Sequence, residues 1–209
     1  MQTLTKPRLD RDARREAILD VAQEVFLEEG FAAASMSTIA ARLGGSKGTL
    51  YNYFKSKDEL FTAYVERRCL WQQDAIYDIK PGATPAETLV HLARSYLTHV
   101  MDDMTLRNFR MIAAESERSP EIGRSFYAAG PEKGTERLAG ILTGLEVGGH
   151  LDLGGDPMSA AYQFLGLVQN RLFKARLCNA IPQLTPEQIE AEAARGVATF
   201  LRAFGTAEG

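Results

Sequence analysis

Apolar residues recur along this chain at spacings of three and four, and the alternation of a half-buried strand is nearly absent. Ile18, Val21, Ala22, Val25 and Phe26 form the first stripe and predict a helix from about Asp10 to Glu29, stopped by Gly30. A short helix from about Ser37 to Leu43 follows, capped by Ser35 and burying Met36, Ile39, Ala40 and Leu43. Gly44-Gly45 breaks the chain, Ser46 offers a new cap, and Lys47 to Phe54 reads as a third helix. Ser56-Lys57-Asp58-Glu59 has the capping-box pattern and opens a long helix to about Ile79.

Beyond "KPGATP" the same grammar repeats. Thr84-Pro85-Ala86-Glu87 opens a helix ending near Asp102-Asp103, and further helices are predicted from near Thr105 and from Ser119-Pro120. Gly130-Pro131 should kink or split the second of these. "EVGGHLDLGGDP" is a loop; Asp156-Pro157 opens a helix to about Asn179, and Thr185-Pro186-Glu187-Gln188 opens the last, to about Phe204. The chain is therefore expected to be all-α, with about nine helices. A small N-terminal helix-turn-helix unit at 1–61 is followed by a helical bundle at 62–209.

The two faces of the third helix differ in kind. At about 100° per residue, Leu50 and Phe54 point together toward a core. Asn52 lies opposite them, flanked by Gly48 and Thr49, with Tyr51 and Tyr53 on the borders. Such an outward face carries groups suited to base edges and phosphates. Asn52 has the geometry for a bidentate contact to adenine, Thr49 offers a methyl and a hydroxyl, and Gly48 permits close approach. Lys47 in the first turn suits a phosphate, and the hydroxyls of Tyr51 and Tyr53 can reach the backbone of a duplex. A solvated polar face explains the same periodicity, so the wheel alone leaves both readings open.

The longer pattern "FAAASMSTIAARLGGSKGTLYNYFKSKDELF" closely resembles the DNA-binding signature of the TetR family of bacterial transcriptional regulators. The resemblance covers about residues 10–61. It implies that Ser35, Lys47, Thr49, Tyr51, Asn52, Tyr53 and Lys57 stand at DNA-contacting positions. One departure is Gly45, which replaces a small aliphatic of the turn and forgoes a buried contact worth about 1–2 kcal/mol.

"RMIAAESERSPEIGRSFYAAGPEKG" and "AAYQFLGLVQNRLF" resemble the AefR-like C-terminal subgroup, over about residues 105–175. The family implies that this part binds a small molecule and dimerises. Ala161, Phe164, Leu165, Val168 and Leu172 form one stripe; Ile189, Ala193, Gly196, Val197 and Phe200 form another. An intramolecular core and a two-fold four-helix interface both fit these stripes, and the resemblance favours the interface. Candidates to line a cavity are Trp71, Tyr96, Met104, Phe109 and Met111, with Phe126, Phe164 and Gln169; Met101, Tyr127 and Asn170 are secondary. Arg107 and Arg110 could meet an acidic ligand or stand as solvated and paired charges.

Composition narrows the alternatives. A hydrophobic fraction of 45% and a charged fraction of 24% are those of an ordinary globular chain. Net charge is −3, so no bulk basicity signals nucleic acid, although Lys6, Arg8, Arg11, Arg14 and Arg15 make a local basic edge. No secretory or membrane-spanning segment stands out, and the two cysteines, Cys69 and Cys178, suggest a reducing compartment, so a cytoplasmic protein is expected. His91, His99 and His150 have no metal or triad spacing, and neither a phosphate loop nor a nucleophile elbow is present. No metal, cofactor or catalytic residue is expected. The sequence thus points to a dimeric regulator of operator DNA, which the resemblance implies is a repressor released by a ligand, with an inducer-free architectural or recruiting protein as the alternative.

Overall fold

The computed structural model describes residues 11–78 and 83–206, with the side chains of residues 71–75 and 171 outside that description. Among the described residues the fold is all-α. A head is formed by α1 (Arg11–Ala33), α2 (Met36–Arg42) and α3 (Lys47–Tyr51), and α4 (Lys57–Ile76) leads out of it. The bundle comprises α5 (Pro85–Val100), α6 (Asp103–Glu115), α7 (Pro120–Tyr127), α8 (Lys133–Val147), α9 (Pro157–Leu177) and α10 (Pro186–Phe204).

The helix boundaries follow local chemistry. Thr84 and Glu87 cap α5 reciprocally, with Glu87 Oε2 accepting from the Thr84 amide at 2.8 Å, which holds the Glu87 carboxyl below its usual range. Thr185 and Gln188 do the same for α10. At α4 the expected box is shifted: Ser56 accepts from the Glu59 amide at 3.1 Å, but Glu59 reaches back to the Lys55 amide at 2.7 Å. Asp102 caps α6, which begins at Asp103, two residues before the expected start. Pro131 has no amide to donate, and the chain passes it as a π-turn, Ala128–Glu132, between α7 and α8. With that split, among the described residues there are ten α-helices, against the expected about nine.

Two hydrophobic cores organise the chain. The first joins Ile18, Phe26, Ile39, Leu50 and Phe54 of the head to Phe61, Tyr64 and Cys69 of α4, and also takes in Ile112 of α6 and Ile122 of α7. The second lies among α5, α8, α9 and α10, and begins with Tyr77 just past the end of α4. α4 therefore enters the core of the head and leaves it toward the core of the bundle.

The paired stripes on the last two helices are this second core. Ala161, Phe164, Val168, Ala193, Val197 and Phe200 are buried within the single chain, and Phe164 meets Phe200 edge-on at 5.2 Å. Gly196 abuts the Val168 backbone. Leu165, Leu172 and Ile189 are half-buried against the same cluster. The fully buried members of these stripes are thus packed within one chain, and the area left for a second protomer on these helices lies at their half-buried and exposed positions. At Gly196 a Cβ would stand 3.0 Å from Val168 Cα and 3.2 Å from its amide nitrogen. Gly196→Ala is expected to lower stability by about 1–3 kcal/mol through overpacking. An unchanged melting temperature would show that α9 and α10 do not approach there.

Candidate functional sites

The head presents the outward face of α3 as expected. Leu50 and Phe54 are buried, whereas Lys47, Gly48, Tyr51 and Asn52 are exposed. Ser46 caps the helix, accepting from the Thr49 amide at 3.2 Å, and its hydroxyl pairs with that of Thr49 at 3.0 Å. α3 ends at Tyr51, earlier than expected. Asn52 is its C-cap, still in the α-helical region, and the amides of Tyr53 and Phe54 close the last turn on Leu50 O at 3.0 and 3.1 Å. Tyr53 is half-buried against the core. Ser35 is half-exposed and accepts from the Thr38 amide at 3.1 Å as the cap of α2.

Lys57 stands differently from the expected phosphate contact. Its Nζ donates to the carbonyls of Phe31, Ala32 and Ala34 at 2.6, 3.2 and 3.0 Å and sits 4.3 Å from the Phe31 ring centroid. These are the carbonyls left open where α1 breaks at Gly30. An ammonium has three N–H groups, and all three are committed here. The basic edge is similarly engaged. Arg15 lies over the Phe54 ring at 5.3 Å, and a Cβ at Gly45 would begin 3.2 Å from Arg14 Nη2. The arginine end therefore covers the turn where an aliphatic side chain was expected, while Gly44 supplies the left-handed backbone (φ 68°) that the turn needs. Lys6 and Arg8 lie outside the described residues.

Behind the head is a cavity of about 340 Å³ between α4, α5, α6, α9 and the π-turn. Of the expected lining residues, Tyr96, Phe109, Phe126 and Gln169 are on its wall. Met104, Met111 and Phe164 are not. Met111 packs on the first core and Phe164 is spent in the second. Trp71 is among the side chains outside the described residues. Arg110 is also redirected: its Nε and Nη2 donate to Leu177 O at 2.6 Å and Arg176 O at 3.0 Å, closing the end of α9.

The cavity's polar groups were largely missed. Tyr64 of α4 donates its hydroxyl to Oδ1 of Asn108 on α6. Asn108 is 5% exposed, and its Nδ2 finds no hydrogen-bond partner among the described residues. Tyr96 donates to Gln169 Oε1 at 3.3 Å, and Tyr77 to Gly134 O at 2.6 Å. His99 Nδ1 donates to Ser95 O at 2.7 Å. Burial pushes the phenols of Tyr64 and Tyr77 up to about 12 and the Cys69 thiol up to about 11, so all three are protonated at neutral pH. Arg68 is on the wall, and among the described residues no carboxylate lines it. A sequence signal existed for Asn108: it shares a helical face with Thr105 and Ile112, a strong hydrogen-bonding group set into an apolar stripe.

The two lysines separate by experiment. Lys57→Met is expected to destabilise the chain by about 1–3 kcal/mol, since it abandons three buried-side carbonyls. Lys47→Ala leaves thermal unfolding unchanged because the side chain is solvated. Equal melting temperatures for the two variants would remove the structural role of Lys57.

Comparison with known proteins finds two family models that match the chain. Residues 18–64 match the model of bacterial regulatory proteins of the tetR family, and residues 87–206 match that of the AefR-like transcriptional repressor C-terminal domain. The activator FasR of Mycolicibacterium smegmatis is 50% identical over 60 residues, 29% of this chain and 27% of that protein. BetI of Rhizobium meliloti is 33% identical over 114 residues, 53% of this chain and 56% of that protein. These matches thus span only about half, or less, of the curated relatives' length. Among solved structures, the flavonoid-responsive regulator FrrA is 37% identical, with a TM-score of 0.82, over 93% of this chain and 98% of that one. A regulator from Mesorhizobium loti superposes with a TM-score of 0.87 at 27% identity, over 95% of this chain and 100% of that one.

Proposed function

The chain belongs to the TetR family of bacterial regulators, and from that premise we propose that it is a transcriptional repressor, released from a palindromic operator by a small molecule. The observation that carries this reading is the position of the cavity. Its wall includes Tyr64, Val65 and Cys69 of α4, and the same three side chains are buried in the core that holds α1, α2 and α3 together. A molecule seated there presses on the helix that carries the head. An architectural or recruiting protein with no inducer has no use for such a cavity, which separates the two readings.

The ligand is proposed to be mainly apolar and aromatic. Tyr96, Phe109, Phe126 and Phe173 supply flat walls, and the full-length likeness to a flavonoid-responsive regulator supports the same class. On the head, Asn52 and Thr49 are proposed to read bases, with Lys47, Gly48, Tyr51, Tyr53 and Ser35 holding the backbone. The family as a whole works by binding DNA and not by catalysis. No described helix is long and apolar enough to cross a membrane, which suits the proposed work at a chromosome in the cytoplasm.

Dimerisation is proposed through the outer faces of α9 and α10, where Ala194 and Ala198 of α10 stand exposed and small enough for helices to meet closely. Two heads on a two-fold axis must then enter major grooves about 34–36 Å apart, or a multiple of that. Ala198→Glu is expected to give a folded monomer in sedimentation. A variant that remains dimeric would place the interface elsewhere.

Operator binding is expected to fall steeply with salt, because several phosphates are neutralised per dimer. On a duplex selected from random sequence, Lys47→Ala should weaken all sites alike. Asn52→Ala should instead relax preference at one position by about 1–3 kcal/mol. A flat salt dependence, or identical specificity profiles for the two variants, would contradict the assigned DNA face.

A further inference from the structure

We propose that Asn108 is the polar recognition point of the cavity and also the joint through which its occupant acts on the head. This rests on the ligand-responsive reading above and gives it a chemical class: an uncharged aromatic molecule bearing a carbonyl-type acceptor oxygen. The two edges of one amide carry the argument. Oδ1 is engaged by the Tyr64 hydroxyl, across 44 residues of sequence and between α6 and α4. Nδ2, on the opposite edge, is buried and has no partner among the described residues, although the residue lines the cavity. A buried N–H left unpaired is costly, and an acceptor oxygen on an otherwise apolar guest removes that cost. A guest of the same shape without the oxygen fills the cavity but leaves the amide unpaired, so it is rejected.

The other edge makes the contact consequential. Tyr64 belongs to the aromatic cluster of the head, 6.0 Å from Phe61 and 6.1 Å from Phe26, ring centre to ring centre. Phe61 in turn packs on Phe31 at 4.7 Å, next to the carbonyls that Lys57 holds. An occupant that turns or draws the Asn108 amide changes the partner of Tyr64, and with it the seating of α4 against the head. Asn108 thereby biases two arrangements that differ in head position, which is what a coupling between sites requires.

The test uses benzophenone and diphenylmethane, which differ by one carbonyl, titrated calorimetrically into the full chain. The wild-type chain is expected to bind benzophenone at least about tenfold more tightly. Asn108→Leu, close in volume, should bind both compounds equally while unfolding as cooperatively as the wild type. Tyr64→Phe should keep the preference for benzophenone. In that variant, however, benzophenone should no longer weaken binding to a selected operator duplex, as it does for the wild type. Equal affinities in the wild type, or a preference that survives in Asn108→Leu, would overturn the recognition role and leave the ligand-responsive reading standing. Release of the Tyr64→Phe variant from DNA by benzophenone, or no release of the wild type, would overturn the joint. Failure of benzophenone to bind the wild type would overturn this proposal, and failure of both compounds would in addition remove the apolar aromatic ligand class while leaving the regulator reading standing.

Discussion

α4 has to satisfy two cores with one helix, and most of the molecule's organisation follows from that constraint. Its first turns bury Leu60, Phe61, Tyr64 and Val65 against the head. Phe26 meets Phe61 edge-on at 4.9 Å and Phe31 meets it at 4.7 Å, so this aromatic packing fixes how α1 leans on α4. The same stretch of α4 lines the cavity, and Tyr77, just beyond its end, reaches the second core. Interiors are close-packed, so a displacement passed from Tyr64 on the cavity wall to Phe61 finds no empty space there to absorb it. Reading head and cavity are thus mechanically one object.

Charged side chains reinforce the junctions instead of decorating the surface. Lys57 closes the broken end of α1, as described, and Arg67 pairs with Glu16 and Asp20 at 3.0 and 2.9 Å, tying α4 to α1 a second time. On the bundle side Arg176, 4% exposed, donates to Met101 O at 3.2 Å and to Ile181 O at 3.1 Å, and pairs with Asp103. Burying an arginine is expensive, and the cost is offset only because several carbonyls and a carboxylate receive its fork. Arg176 ties the start of α6 to the end of α9, and Arg110 ties the second half of α6 to the same end. α6 is therefore anchored on both sides of Asn108, at Asp103 and at Arg110, while Asn108 itself lines the cavity.

Much of this was legible in the amino-acid sequence, for local reasons. Helix class, most starts and the split at Gly130-Pro131 follow from 3.6-residue periodicity, side-chain caps and proline's missing amide, all of which act within a few residues. The two faces of α3 were equally readable, because Leu50 and Phe54 are buried and Asn52 is exposed by the same periodicity. What the periodicity did not contain is which surface a buried stripe meets. Gly196 and Val168 read as a helix-helix seam, and only the tertiary structure decided that the seam lies inside one chain. The donors of Lys57 and Arg110 were likewise unassignable, since their carbonyl partners lie 23 to 26 and 66 to 67 residues away. A cavity is the extreme case. It is the space that α4, α5, α6 and α9 fail to fill, so whether Phe109 faces it and Phe164 does not depends on helix placement across the whole fold, which no local pattern encodes.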